Sequence, residues 1–175
     1  INSHTSDRYH IVWNYGYSNS RYYTVQVTES EGRSGAGNTL DGHSPVNIGD
    51  SLFAYIRQTT TGALLTDRDY NVVASAATYD INQTWHLARQ GDGSYVICMP
   101  QTWHYWDITG RVYEDNTNIQ MYQGNGDEAQ RFFIYNIIGH YYFRAAGAVK
   151  TVDVNLYTGN VELCGEGSYA DHPDH

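Results

Sequence analysis

Basic side chains are scarce in this chain. Ten Lys and Arg stand against 19 Asp and Glu, for a formal net charge of −9, and the ten are scattered. Phosphate neutralisation needs clustered cations, so a nucleic-acid partner is not expected, and neither is an anionic membrane surface. No apolar run approaches the ~18 residues of a spanning helix, so neither membrane insertion nor a signal peptide is visible. The first residue is Ile, and the chain reads as a processed or excised product. The two cysteines, Cys98 and Cys164, either form one bridge or stay as separate buried thiols, which leaves the redox compartment open. No stretch carries the periodicity of a long amphipathic helix. A phosphate-cradling glycine loop, a nucleophile elbow and a Cys–His pair in a recognisable context are also missing.

What the chain does have is 17 Tyr and 17 Gly, with 41% hydrophobic but only 17% charged residues. That balance favours strands with aromatic faces joined by glycine turns, an all-β fold. The length suits one ordinary domain with an appendage.

A repeat organises most of it. Ile56, Ile97 and Phe143 each end an aromatic strand, and Thr66, Asp107 and Asp153 follow at one constant offset. After a spacer of variable length come Asn71-Val72-Val73-Ala74-Ser75, Asn118-Ile119-Gln120-Met121-Tyr122 and Asn160-Val161-Glu162-Leu163-Cys164. The offset from Val72 to Gln83 equals that from Ile119 to Gln130, so Gln83-Thr84-Trp85 and Gln130-Arg131-Phe132 occupy equivalent places. Constant spacing on both sides of a loose spacer is the mark of threefold repetition, because insertions collect in loops while strands keep register. Such lobes cannot bury their apolar faces alone, so three must close on one another, with Trp85, Phe132, Ile56, Ile97 and Phe143 inward. The Gln of each Gln-x-aromatic pair is expected to bond backbone at the lobe's turn, a structural role.

Residues 1–49 do not follow the repeat. They hold an aromatic strand candidate, Arg8–Trp13, and an alternating one, Tyr22–Thr28, followed by turn-rich loops, which places a boundary near Gly49. The segment reads as a β-rich extension or the remnant of a preceding domain, and residues 50–175 as lobes of about 50–91, 92–137 and 138–175. The third lobe has no Gln-x-aromatic closure; the equivalent offset lands on His172. Asp7-Arg8-Tyr9-His10-Ile11 is similar to the closing segments of the other two lobes. It either completes the third lobe or is an accidental aromatic strand.

The ordered set Trp106-Asp107-Ile108-Thr109-Gly110, Asn118-Ile119-Gln120-Met121-Tyr122 and Gly126-Asp127-Glu128-Ala129-Gln130-Arg131-Phe132 resembles the ricin B-type β-trefoil lectins, also known as a carbohydrate-binding module family. The resemblance covers about residues 50–175 and implies a twelve-stranded trefoil. It further implies that a lobe binds sugar with its early Asp, a polar residue on the middle strand, the aromatic two residues later, and an Asn or Gln near the lobe's end. The chemistry fits, since a carboxylate accepts neighbouring hydroxyls and a ring face covers the apolar patch of a pyranose.

Carried over, the second lobe offers Asp107, Gln120, Tyr122 and Gln130, with Asn125 in the intervening loop. Ala129 departs from the pattern, standing where sugar-binding lobes usually have Asn. The first lobe has Thr66 for the Asp and Ser75 for the aromatic, and is expected not to bind; Asp67 lies one position along. The third keeps Asp153 and Glu162, a weaker pair of candidates, with Cys164 at the aromatic position and Tyr157 or Tyr169 as substitute platforms. No cofactor or metal is expected, because the terminal Asp171–His175 run, though rich in ligand types, is broken by Pro173 and reads as a solvated tail.

These readings converge on a secreted or cell-surface carbohydrate-binding module of a larger protein, taking galactose-like glycans through the second lobe, with other domains of the parent as further partners. Galactose comes only from the resemblance. The alternative is a protein-docking or structural trefoil, such as a toxin subunit, with decayed sugar sites and an aromatic patch from the Tyr-rich first 49 residues. A glycosidase pairing Asp107 with Glu114 would need a defined carboxylate separation, and no enzyme activity is expected.

Overall fold

Strand formation follows from local alternation. In Ser51–Gln58 the first residues point alternately outward, at Ser51 and Phe53, and inward, at Leu52 and Ala54, the period of two of a pleated strand packed on one face. The computed structural model describes residues 9–13, 39–40, 42–137 and 139–165, the first of these as backbone alone. Twelve strands run through them: β1 (Tyr9–Trp13), β2 (Ser51–Gln58), β3 (Leu64–Arg68), β4 (Asn71–Ser75), β5 (Trp85–Arg89), β6 (Tyr95–Cys98), β7 (His104–Ile108), β8 (Ile119–Gln123), β9 (Phe132–Ile137), β10 (His140–Ala145), β11 (Lys150–Val154) and β12 (Val161–Gly165).

Pairing closes six of them into a barrel. Strand β5 lies between β2 and β6, β9 between β6 and β10, and β1 between β10 and β2, all antiparallel. The hairpins β3–β4, β7–β8 and β11–β12 cap one end. They join through Asn71↔Gln120 and the bridges Val73↔Asn160 and Asn118↔Glu162. This is a β-trefoil: four strands per lobe, three lobes about a pseudo-threefold axis.

Strand β1 occupies in lobe 3 the closing position that β5 and β9 hold in lobes 1 and 2. Of the two readings of the Asp7–Ile11 similarity, the accidental strand is therefore corrected: Ile11 pairs with Ile56 and Tyr9 with Tyr141. Contacts also cross the loop-rich stretch before Gly49. The Val46 N–H donates to the Ile134 carbonyl at 2.7 Å, the Ile48 N–H to the Tyr95 hydroxyl at 2.9 Å, and Ile48 packs in the main core. The expected strand over Tyr22–Thr28 and the terminal Asp171–His175 run lie outside the described residues.

The core sits inside the barrel and beneath the cap. Trp85, Phe132, Ile56, Ile97 and Phe143 are fully buried, as the repeat predicts. They gather around Trp106, whose ring meets Trp85 edge-on at 5.4 Å and Phe132 at 5.8 Å. Edge-to-face contacts of this kind add about 0.5–1.5 kcal/mol beyond area burial. Cys98 and Cys164 are both free thiols.

Candidate functional site

Each lobe places polar side chains at a station where its second and third strands face one another, and in lobes 1 and 2 the closing Gln reaches across. In lobe 2, Asp107 on β7 stands opposite Gln120 on β8. The Gln120 Nε2 donates to Asp107 Oδ1 at 3.1 Å, and the Gln130 Nε2 to Asp107 Oδ2 at 3.0 Å. Gln130 also donates to the Gln123 carbonyl at 2.9 Å and accepts from the Asn125 N–H at 3.1 Å. One side chain thus fixes both the carboxylate and the loop that borders it.

That loop is shaped by short-range capping. Asn125 Oδ1 accepts from the Asp127 N–H at 2.8 Å, and Asp127 caps the short 3₁₀ turn Glu128–Gln130 by accepting from the Ala129 N–H at 3.0 Å. Arg111, on the turn after β7, forms an ion pair with Asp127. Gly124 is required by packing: a Cβ there would lie 2.6 Å from the Tyr105 ring. Ala129 is buried in the core, so the side chain at the position that departs from the family pattern contributes packing and no hydrogen bond.

The face this loop frames is half aromatic. Tyr122 is 47% exposed and pairs across the hairpin with Tyr105. Alternation places both on the side of the hairpin that carries Asp107 and Gln120. Burial lifts the Tyr105 phenol above its ordinary range, with the Cys98 thiol adding to the effect. The sequence reasoning missed Tyr105; counting back by two from Asp107 would have found it.

Lobe 1 repeats the geometry without the charge. Gln83 Nε2 donates to Thr66 Oγ1 at 3.0 Å and to the Ala76 carbonyl at 2.8 Å, and its oxygen accepts from the Thr78 and Tyr79 N–H groups. Thr66 and Ser75 hydroxyls pair at 2.6 Å, so the station is a neutral, self-satisfied cluster. Asp67, the next residue along the strand, points to the opposite face, toward Tyr70 and His104.

In lobe 3 both carboxylates are buried, Asp153 at 1% and Glu162 at 8% exposure. Asp153 Oδ1 accepts from the Val154 N–H at 2.8 Å. Glu162 accepts from the Asn155 Nδ2 at 3.3 Å and from the Asn160 Nδ2 at 3.1 Å. Asn160 belongs to the asparagine cluster on the pseudo-threefold axis, where Asn71 Nδ2 donates to Asn160 and Asn118 Nδ2 to Asn71. Its own amide turns to Glu162, and Asn118 Oδ1 is left buried without a partner. Cys164 stands where lobe 2 has Tyr122, and Tyr157 is exposed on the neighbouring loop. Tyr169 lies outside the described residues, as does most of the Tyr-rich segment behind the docking alternative. Among the described residues, no group of three or more His, Cys, Asp or Glu is placed to hold a metal ion, and no helix is long and apolar enough to cross a membrane.

Comparison with known proteins agrees with this geometry. Residues 81–160 match the family described as ricin-type beta-trefoil lectin domain-like, so the resemblance carried by the repeat holds. Three similar solved structures are a designed threefold-symmetric protein, a fungal lectin and an insecticidal toxin. The designed protein, ThreeFoil, superposes with a TM-score of 0.60 at 21% identity, over 65% of this chain and 89% of its own. The Polyporus squamosus lectin, solved bound to the human-type influenza-binding epitope Neu5Aca2-6Galb1-4GlcNAc, gives 0.63 at 21% identity, over 68% of this chain and 45% of its own. A mosquitocidal holotoxin gives 0.62 at 18% identity, over 69% of this chain and 16% of its own. At these identities the likeness shows the trefoil fold, and the chain spans under half the length of the last two. No curated protein sequence matches. The lectin-like domain match supports a carbohydrate-binding module.

Proposed function

We propose that this ricin-type lectin-like chain is a carbohydrate-binding module of a larger secreted or cell-surface protein, and that it takes a galactose-like pyranose in lobe 2. The observation that carries the reading is the Asp107 carboxylate. Each of its oxygens accepts one amide N–H, which fixes the group and leaves a lone pair on each oxygen for neighbouring ring hydroxyls. Tyr122 supplies the ring face, Gln120 and Asn125 orient the sugar, and Gln130 acts at the same carboxylate. Galactose is favoured by the family resemblance, and the epitope of the Polyporus lectin contains a galactose unit. Lobes 1 and 3 do not share the arrangement: lobe 1 lacks the carboxylate, and lobe 3 has Cys164 in the place of the Tyr122 ring.

A single station predicts dissociation constants of micromolar to millimolar order, raised in effect by neighbouring modules. The role is reversible recognition, with no bond made or broken. A glycan array run with the native chain beside Asp107→Ala tests it. Binding to galactose-terminated glycans that disappears in the variant is expected. Equal binding by both chains would remove lobe 2 from the reading, and silence of the native chain would remove the carbohydrate reading itself.

A further inference from the structure

The β3–β4 turn presents a bulky ring where the backbone favours glycine. Asp69 and Tyr70, its central residues, have φ of 54° and 64°, the left-handed pair of a two-residue hairpin whose second place is usually Gly. A large side chain there is a genuine outlier. Tyr70 is nevertheless 60% exposed, so the strain is not compensated by burial. Across the lobe boundary, Trp103 repeats the pattern with φ 54° and 57% exposure. Strained backbone that displays a side chain, rather than burying it, points to function.

Two polar groups on residues next to Tyr70 have no partner. Asp67 Oδ1 and His104 Nδ1 are both buried and unbonded. Tyr70 lies against both residues: its backbone N–H acts to lower the Asp67 carboxyl, and its ring meets the His104 ring edge-on at 5.1 Å. Trp103 is braced from the other side by the His86 ring at 6.2 Å, which is itself stacked on Phe53 at 4.8 Å. His86 is held in turn by Ser51 Oγ at 2.8 Å on one nitrogen and Cys98 Sγ at 3.7 Å on the other. Burial pushes the Cys98 thiol up to about 11, so the sulfur keeps its proton.

We propose that Tyr70, Trp103, Asp67 and His104 form a second pyranoside subsite at the junction of lobes 1 and 2, separate from the Asp107 station. The two exposed rings offer stacking faces. A ligand hydroxyl that reaches either group can supply the missing partner, donating to the Asp67 carboxylate or bonding the His104 Nδ1. A hydroxyl is both donor and acceptor, so this pair suits a sugar better than it suits an apolar ligand. The inference rests on the carbohydrate reading and extends it to residues outside the repeat's motif.

Saturation-transfer NMR with a panel of methyl pyranosides (galactoside, glucoside, mannoside and N-acetylglucosaminide) tests it in the native chain and in Asp107→Ala, with Asp107→Asn as the second silencing variant. Tyr70→Gly and Trp103→Gly are then added to each background. Glycine relieves the left-handed strain, so both variants should keep or raise the native thermal midpoint. The expected result is transfer to at least one pyranoside that persists without Asp107 and weakens at least tenfold on Tyr70→Gly or Trp103→Gly. Loss of all transfer on Asp107 replacement alone would overturn the second subsite and leave lobe 2 standing. Residual transfer indifferent to both glycine variants would overturn it too, as would a midpoint lowered by both, which would make the rings structural. A native chain that contacts no pyranoside would end both readings together.

Discussion

Asp107→Asn separates the carboxylate's binding role from its structural one, because the two amides that hold it are not equally constrained. Gln130 has three further reasons to keep its orientation: its oxygen accepts from the Asn125 N–H, its nitrogen donates to the Gln123 carbonyl, and it is buried at 1% exposure. Gln120 is half-buried and bonds Asp107 alone. An introduced amide can therefore keep its oxygen toward Gln130 and turn its NH₂ toward Gln120, whose own amide flips to accept. Every hydrogen bond survives, and the change in stability should stay within about 1 kcal/mol, the scale of one neutral exchange.

Binding has no such escape. The new NH₂ accepts nothing, so one sugar hydroxyl loses its acceptor, and the other faces a neutral oxygen in place of an anion. A hydrogen bond to a charged group is worth about 1.5–3 kcal/mol and a neutral one about 0.5–1.5. The combined loss is about 2–3 kcal/mol, or about 30- to 150-fold in dissociation constant. Isothermal titration with methyl galactoside, read beside urea unfolding, gives both quantities. Unchanged affinity would refute the placement of the sugar on Asp107. A loss of stability beyond about 3 kcal/mol would refute the argument that Gln120 can flip.

Three other outcomes follow from single features of the fold. Gly124→Ala forces the Tyr105 ring or the Gln123–Asp127 loop to move, since the new Cβ starts 2.6 Å from the ring; NMR shifts confined to that loop and a several-fold weaker sugar are expected, and an unchanged spectrum would show that the contact is slack. Removing residues 1–13 deprives β2 and β10 of the strand between them and exposes two edges, so the single cooperative thermal transition should be lost; a native-like melt would make β1 dispensable. Burial raises the Asp67 carboxyl, against the lowering effects of the Tyr70 N–H and His104, so its folded value lies above the unfolded one, and ionisation opposes folding above that window. Asp67→Asn should raise stability at pH 7 and lose its advantage as pH falls through the folded value toward the unfolded 3.8; an advantage independent of pH in denaturant titrations would point to packing instead.

The repeat was legible because strands hold register: the constant offsets that bring Asp107 opposite Gln120 are visible in the chain as written. Closure of the barrel was only half legible. The similarity of Asp7–Ile11 to the other closing segments was there to see, but ring closure pairs Tyr9 with Tyr141, and no spacing rule connects residues so far apart. Asp67 lies one position from Thr66, and a shift of one residue on a strand turns a side chain to the other face, so it belongs with Tyr70 and His104. Trp103 and Tyr70 drew no attention because a left-handed φ at a bulky residue leaves no mark in composition. Glu162 was carried over from the family resemblance as a lower-ranked candidate. Asn155 and Asn160 of its own lobe donate to its carboxylate, and only the contact of Asn160 with Asn71 of lobe 1 had to wait until the lobes met.

The two Gln-x-aromatic segments show what such a motif reports. Gln83 and Gln130 make equivalent bonds: to a strand hydroxyl or carboxylate, to a carbonyl of the loop, and from N–H groups of the same loop. In lobe 1 those bonds serve a station with no carboxylate, so the glutamine's presence indicates a closed loop and carries no information on binding. Its structural share can therefore be measured where there is nothing else to lose. Gln83→Ala removes the acceptor of two loop N–H groups and one of the donors to the Thr66 hydroxyl, which keeps Leu64 and Ser75, and should cost about 1–3 kcal/mol, at about 0.5–1.5 for each neutral hydrogen bond lost. Gln130→Ala should cost a similar amount in denaturant unfolding and, in addition, weaken galactoside binding, because Asp107 then swings on Gln120 alone. Sugar binding that falls equally in the two variants would mean that global loosening, and not the positioning of Asp107, sets the affinity.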